Sequence, residues 1–176
     1  MSEIYLGIDL SLTKTGWALV AVKDHVPTVE DFGLLRTKAD LTDGERLHQI
    51  FDGIQEILDE YPGLNESIAR EAPIVKFPKP TMQVLKAHGV FEYSLVDYTV
   101  EDVPLSTVKK WARRITKSPG KRNDKDMVAE AIEIYYGKKF DFYTSRGKLI
   151  DDISDAIAVI TVWLIQNKRI KEVIHV

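Results

Sequence analysis

Apolar residues open the chain in two short β-rich runs, residues 4–10 and 15–22, separated by the turn residues 11–14; the pattern predicts a β-hairpin. Residues 29–37, with Phe32, Leu34 and Leu35, predict a third strand. A helix follows. Thr42 and Glu45 form a capping box, Leu47, Ile50, Phe51, Ile54, Ile57 and Leu58 recur at helical spacing, and Tyr61-Pro62-Gly63 stops the run. Residues 67–72 predict a short buried strand, because they follow a turn and precede Pro73, which disfavours helix at the residue before it. Pro78 and Pro80 punctuate the next loop, residues 81–93 carry Met82, Leu85 and Val90 in a helix, and residues 94–100 predict another strand. Pro104 marks a helix start, with Val108, Trp111, Ala112 and Ile115 behind it. After the turn-rich basic stretch 117–123, residues 124–136 and 150–166 close the chain as helices. A hairpin, then alternating helix and strand, then helices, is the order of an α/β layer architecture. No repeat or linker divides the chain, so one domain over residues 1–176 is expected.

Composition narrows the chemistry. The chain has no cysteine, which excludes disulfides, Cys-ligated zinc and thiol nucleophiles and fits a reducing, cytoplasmic setting. A charged leader with an apolar run behind it is missing at the N-terminus, and no stretch of about 18 apolar residues occurs, so neither secretion nor membrane insertion is expected. The formal net charge of −3 conceals a strong asymmetry. Residues 104–148 hold 12 Lys and Arg against 5 Asp and Glu, while the rest holds 12 against 22. A solvated face accounts for such a zone as readily as a polyanion partner does.

Three acidic positions stand out. Asp9 lies inside the apolar segment IYLGIDL, where a buried carboxylate needs a ligand, a partner or water; alone, it also reads as a turn residue at a strand end. Glu71 ends the strand SIARE and, alone, is a loop-edge charge or a partner of Arg70. Asp151, Asp152 and Asp155 open DDISDAIAVITVWLIQ, a helix apolar almost all round and therefore buried. Capping accounts for Asp151 but not for Asp155, which lies deeper in the helix on the same face as Asp152. Periodicity does not choose between Asp151 and Asp152. Four acids from two strands and a helix make joint sense around hard divalent cations, which take oxygen ligands and, in pairs, stabilise the attacking and leaving oxygens of a phosphodiester.

GIDLSLTKTGWALV, IAREAP, KAHGV and DDISDAIAV stand in the order and spacing of the motifs of the RuvC Holliday-junction resolvases, so the chain resembles that family over nearly its whole length. The resemblance implies an RNase H-like fold, with a mixed five-stranded sheet and helices on both faces. It implies a structure-selective endonuclease that resolves four-way branched DNA in recombination and repair. Asp9, Glu71, Asp152 and Asp155 take the places of the metal-binding acids, two Mg2+ per site with Mn2+ as a substitute, and Lys125, with Lys109 as a looser match, takes that of a lysine near the scissile phosphate. A homodimer through the helix near residues 81–93 is also implied. The sequence departs from the family in three places: Leu10-Ser11 replaces Pro-Gly after the first acid, Ile74 replaces the aromatic wedge with Phe77 three positions later, and the segment between Lys109 and Lys125 is longer. Phe77 is the candidate for a displaced wedge, and Arg113, Arg114, Lys117, Lys121 and Arg122 are candidate phosphate contacts. The alternatives are a broader flap or fork nuclease of the same fold and a non-catalytic branched-DNA binder, against which the complete acid set argues. His25, His48 and His175 are scattered, His88 is expected to pack or cap, and Trp17, Trp111 and Trp163 are expected in core or interface.

Overall fold

Alternation along the first three strands decides the architecture. The computed structural model describes residues 2–74, 78–117 and 124–172. In it β1 (Glu3–Asp9), β2 (Lys14–Lys23) and β3 (Val26–Arg36) form an antiparallel meander, followed by α1 (Asp43–Glu60) and β4 (Leu64–Glu71). Then come α2 (Pro78–Ser94), β5 (Thr99–Val103), α3 (Leu105–Thr116), α4 (Asp124–Tyr136) and α5 (Asp151–Gln166). Among the described residues five strands make one mixed sheet in the order β3-β2-β1-β4-β5, with β4 parallel to both β1 and β5. This is the expected sheet, and helices cover both faces.

The period-2 pattern sorts side chains between two cores. Leu6, Ile8 and Ile68 pack with Ile50, Ile54 and Ile57 of α1 and Ala87, Phe91 and Leu95 at α2. Tyr5 and Ala69 face the other way, against α3, α4 and α5. α5 is buried almost all round because it lies in that second core, as its apolar sequence requires. Trp111 and Trp163 are buried there, whereas Trp17 is half-buried on the α1 side. The capping box forms: Thr42 Oγ1 accepts from Glu45 N at 3.3 Å and Glu45 Oε2 accepts from Thr42 N at 2.9 Å, a motif worth about 1 kcal/mol.

Several boundaries differ from expectation. β4 begins at Leu64 rather than at residue 67, and Pro78 and Pro80, expected in a loop, lie in the first turn of α2, where a missing backbone N–H costs no helical hydrogen bond. The strand predicted over 94–100 is instead the end of α2, a turn and the start of β5. Leu95 and Tyr98 serve helix-end packing, and Ser94 Oγ donates back to Val90 O at 2.8 Å, so the apolar residues there follow no strand alternation. β3 begins earlier than predicted, because Asp24 and His25 make a two-residue turn with φ of 53° and 64°. No glycine announced it. No helix among the described residues is long and apolar enough to cross a membrane.

A buried cation ties α2 to the sheet. Arg70 in β4, 4% exposed, donates through Nε to Asp102 at 2.8 Å and through Nη2 to Glu92 of α2 at 3.0 Å, and its guanidinium lies 5.7 Å from the centre of the Phe91 ring. His88 is buried beside this cluster, and its Nδ1 has no hydrogen-bond partner among the described residues. Burial, and after it the Arg70 charge, lower the His88 pKa from 6.5 to about 4. The unfolded chain thus takes up this proton at a higher pH than the folded protein does, so His88 costs stability as pH falls from about 6.5 towards about 4. Unfolding titrations across that window should give a shallower acid decline for His88→Gln than for the parent protein. Parallel declines would show that His88 does not titrate against the fold.

Candidate active site

Asp9 ends β1 and Glu71 ends β4, and the parallel register that pairs Gly7 with Ala69 and Ile8 with Arg70 brings these ends together. Alternation turns Asp9 to the same face as Tyr5 and Gly7, and Glu71 to the same face as Ala69, which is the α5 face. α5 lies directly on the strands there. A Cβ on Gly7 would stand 2.5 Å from Ile160 Cβ and 2.7 Å from Ala156 O, and one on Gly16 would stand 1.9 Å from Asp152 O. Gly16 is also the cross-strand partner of Asp9, so the tightest approach of α5 to the sheet lies where its first turn meets the first acid. At the helix start, Ile150 supplies no side-chain cap, which disposes of capping by the preceding side chain and leaves Asp151 and Asp152 in the first turn.

The acids act on one another. Burial pushes the Asp9 carboxyl well above the usual carboxylate range, and Glu71, Asp155, Asp152 and Asp151 push it further in the same direction. Burial likewise raises Glu71, while Lys109 opposes the rise. Asp155 is raised from 3.8 to about 7, first by burial and then by Glu71 and Asp151, against the pull of Lys125. Asp152 is raised by burial and by Asp151, and Lys14 and Lys125 pull it back. Lys125 Nζ contacts Asp151 directly, and that bond raises the lysine's own pKa.

The structure therefore brings together Asp9, Glu71, Asp152 and Asp155, with Lys109 and Lys125 at their margin. Arg113 and Arg114 are exposed in the last turn of α3, Arg114 touching Glu172, and Lys117 is exposed at the left-handed end of that helix. Phe77, Lys121 and Arg122 lie outside the described residues, and Ile74 is exposed beyond Glu71. Sequence reasoning missed Lys14, the engagement of Asp151 by Lys125, and Gly16. Gly16 had a signal, since a glycine inside an apolar strand marks a close approach by another backbone.

Among the described residues no group of three His, Asp or Glu side chains is arranged to hold a metal ion as it stands. The donor chemistry nevertheless fits one. Hard divalent cations take carboxylate oxygens, and Asp9, buried in the field of four other acids, is raised by every influence on it.

The family model described as crossover junction endodeoxyribonuclease RuvC matches residues 5–163. A relative in Ehrlichia ruminantium (strain Welgevonden), named crossover junction endodeoxyribonuclease RuvC, is 33% identical over 159 residues, covering 88% of this chain and 91% of its own. A relative of the same name in Brachyspira hyodysenteriae is 22% identical over 170 residues, covering 97% and 99%. The fold is similar to T. thermophilus RuvC in complex with Holliday junction substrate, with a TM-score of 0.74 at 18% identity over 94% of this chain and 95% of that one. It also resembles the fowlpox virus Holliday junction resolvase, with a TM-score of 0.57 at 9% identity over 93% and 99%.

Two outcomes follow from this packing. Gly16→Ala drives a Cβ into the Asp152 carbonyl and should cost about 3 kcal/mol or more, read by denaturant unfolding, with loss of whatever activity the acids support. Asp155 keeps a proton to about pH 7 in the folded protein but releases it near 3.8 when unfolded, so its contribution to stability is complete at low pH and is lost as pH rises through about 7. In chelator, Asp155→Asn should melt above the parent protein at pH 8, and the gap should close as pH falls. A gap independent of pH would mean that Asp155 does not face the other acids.

Proposed function

The chain belongs to the RuvC family of crossover junction endodeoxyribonucleases, and on that premise we propose that it resolves four-way DNA junctions by metal-assisted hydrolysis of a phosphodiester. The observation that carries the reading is the gathering of Asp9, Glu71, Asp152 and Asp155 from two strand ends and a helix start into one electrostatic neighbourhood. Four raised carboxylates are costly to keep ionised together, and a nuclease that uses Mg2+, with Mn2+ as a substitute, has a use for them. These four acids would hold the ions, which when bound lower the pKa of water and stabilise charge on the phosphate oxygens.

The remaining work falls to side chains of this chain. Lys109, facing Glu71 from α3, and Lys125, facing Asp151 from α4, hold the charge of the scissile phosphate from two elements. Asp151 is engaged by Lys125, which supports assigning the ligand role to Asp152. Arg113, Arg114 and Lys117 extend the basic surface along the DNA backbone, positioning the duplex without reading its sequence.

Two copies joined through α2 place two such sites on one junction. The support is an apolar surface: Met82, Leu85 and Tyr93 of α2 are exposed, and a cavity of about 450 Å³ between α1 and α2 is lined by Leu47, Phe51, Val90 and Tyr93. A broader branched-DNA task is the second reading. Ile74, exposed just beyond Glu71, lacks the flat face that would replace base stacking at a crossover.

Asp9→Asn, Glu71→Gln and Asp152→Asn should each cut cleavage of an immobile four-way junction by more than the roughly 100-fold that loss of even an outer partner of a metal ligand costs. Binding in a mobility-shift assay should persist, because each change relieves negative charge. Cleavage assays in Mg2+, Mn2+ and Ca2+ on junctions, flaps and duplexes separate the readings: symmetric nicks at junctions support resolution, equal cutting of flaps supports the broader task, and binding lost together with cutting in all three variants refutes the metal role.

A further inference from the structure

Lys14, the first residue of β2, stands directly opposite Arg36, the last residue of β3. Antiparallel partners point to the same side of a sheet, and like charges so placed weaken the pairing. The side is the α5 side: Gly16, two residues along on the same face, abuts the Asp152 carbonyl. Neither cation makes a salt bridge with a described residue. The two positive side chains thus stand against each other at the rim of the acid cluster, with Lys14 close enough to draw the Asp152 pKa down and Arg36 one strand further out.

The backbone that carries them is tied down. Ser11 Oγ accepts from Lys14 N at 3.0 Å and donates to Lys14 O at 2.7 Å, and Thr15 Oγ1 donates to Ser11 O at 2.9 Å. Next to Arg36, Thr37 donates from N to Thr13 O at 3.2 Å and from Oγ1 to Leu12 O at 2.6 Å, while Arg46 Nε donates to Thr37 Oγ1 at 2.9 Å. The segment in which Leu10-Ser11 departs from the family is thus a hydrogen-bonded platform that fixes where Lys14 starts. Lys109 acts on Glu71 from the other side of the acids, on the helix that follows β5.

We propose that Lys14 and Arg36 form a phosphate-binding site for the DNA backbone on the β3 side of the active site, so that the strand being cut is gripped from both sides of the acids. The inference rests on the nuclease reading and adds to it a site and a ligand class, phosphodiester oxygens of a DNA arm. A polyanion between the two cations offsets their mutual repulsion and gives Arg36 the anionic neighbour that Asp152 already gives Lys14.

The test is fluorescence anisotropy with a labelled immobile four-way junction in chelator, titrated across NaCl concentrations, on the whole chain. Lys14→Gln with Arg36→Gln should reduce the slope of log affinity against log salt by about 2, roughly one for each phosphate that is no longer neutralised, while the melting temperature changes little, because relief of the repulsion between the two cations is offset by loss of the attraction of Lys14 to Asp152. Lys14→Arg with Arg36→Lys should restore the slope. A junction with neutral methylphosphonates at the phosphates that these two side chains grip should weaken the parent protein and leave the double Gln variant unaffected. An unchanged slope in a parent protein that binds and cuts junctions overturns this site alone. A reduced slope that the charge-conserving pair fails to restore, in a protein that melts normally, also overturns it. A parent protein that neither binds nor cuts any branched DNA overturns the nuclease reading and the site with it.

Discussion

The contact of α5 with β1 and β2 is the constraint on which the site depends. A helix ordinarily rides above a sheet on a layer of side chains, but here Gly7 and Gly16 remove that layer, and the helix backbone comes within reach of the strands. The approach is closest at Asp152, the carbonyl of which occupies the space a Gly16 side chain would need. The first turn of α5 is thereby fixed beside Asp9 without any hydrogen bond between the acids themselves. Packing sets the geometry that electrostatics alone would oppose, because five neighbouring acids repel one another.

That repulsion is distributed in a definite way. Lys109 relieves Glu71, Lys125 is bound to Asp151 and relieves Asp155, and Lys14 relieves Asp152, whereas every influence on Asp9 raises it. The acid at the centre is the one that no lysine serves. Cations sit at the rim and carboxylates in the interior, a division that under the proposed function would leave the interior to a hard ion. Under that same function, the arrangement would separate the side chains that touch DNA from those that hold metal.

Much of this could be read from the residues. The hairpin, the capping box of α1 and the buried character of α5 each had a local signal, an alternation or a spacing, and the acids of β1, β4 and α5 stood out as charges in or beside apolar runs, while the choice of Asp152 over Asp151 came from the family's motif alone. Residues 94–100 did not, because Leu95 and Tyr98 are apolar in order to close a helix end, and a short apolar run reads alike in either role. The turn at Asp24 and His25 also passed unseen, since both residues take left-handed backbone without a glycine to mark it. Lys14 lay beyond reach for a different reason. Its meaning comes from Arg36 across the ladder and Asp152 across the layer, and neither neighbour is near it in sequence.

Arg70 and Glu71 are consecutive on β4 and so face opposite layers, one clasped by Glu92 and Asp102, the other turned to the acids. A buried guanidinium stripped of a carboxylate costs about 3–5 kcal/mol, whereas replacing the whole trio with apolar residues of similar volume can be neutral. Glu92 and Asp102 are 60% and 44% exposed and share the Arg70 charge, so losing either alone costs less than that and losing both costs most. Positions 92 and 102 are thus expected to vary more readily than position 70, and a lineage that loses both acids is expected to have replaced Arg70 as well, a record of change different from that of the glutamate beside it.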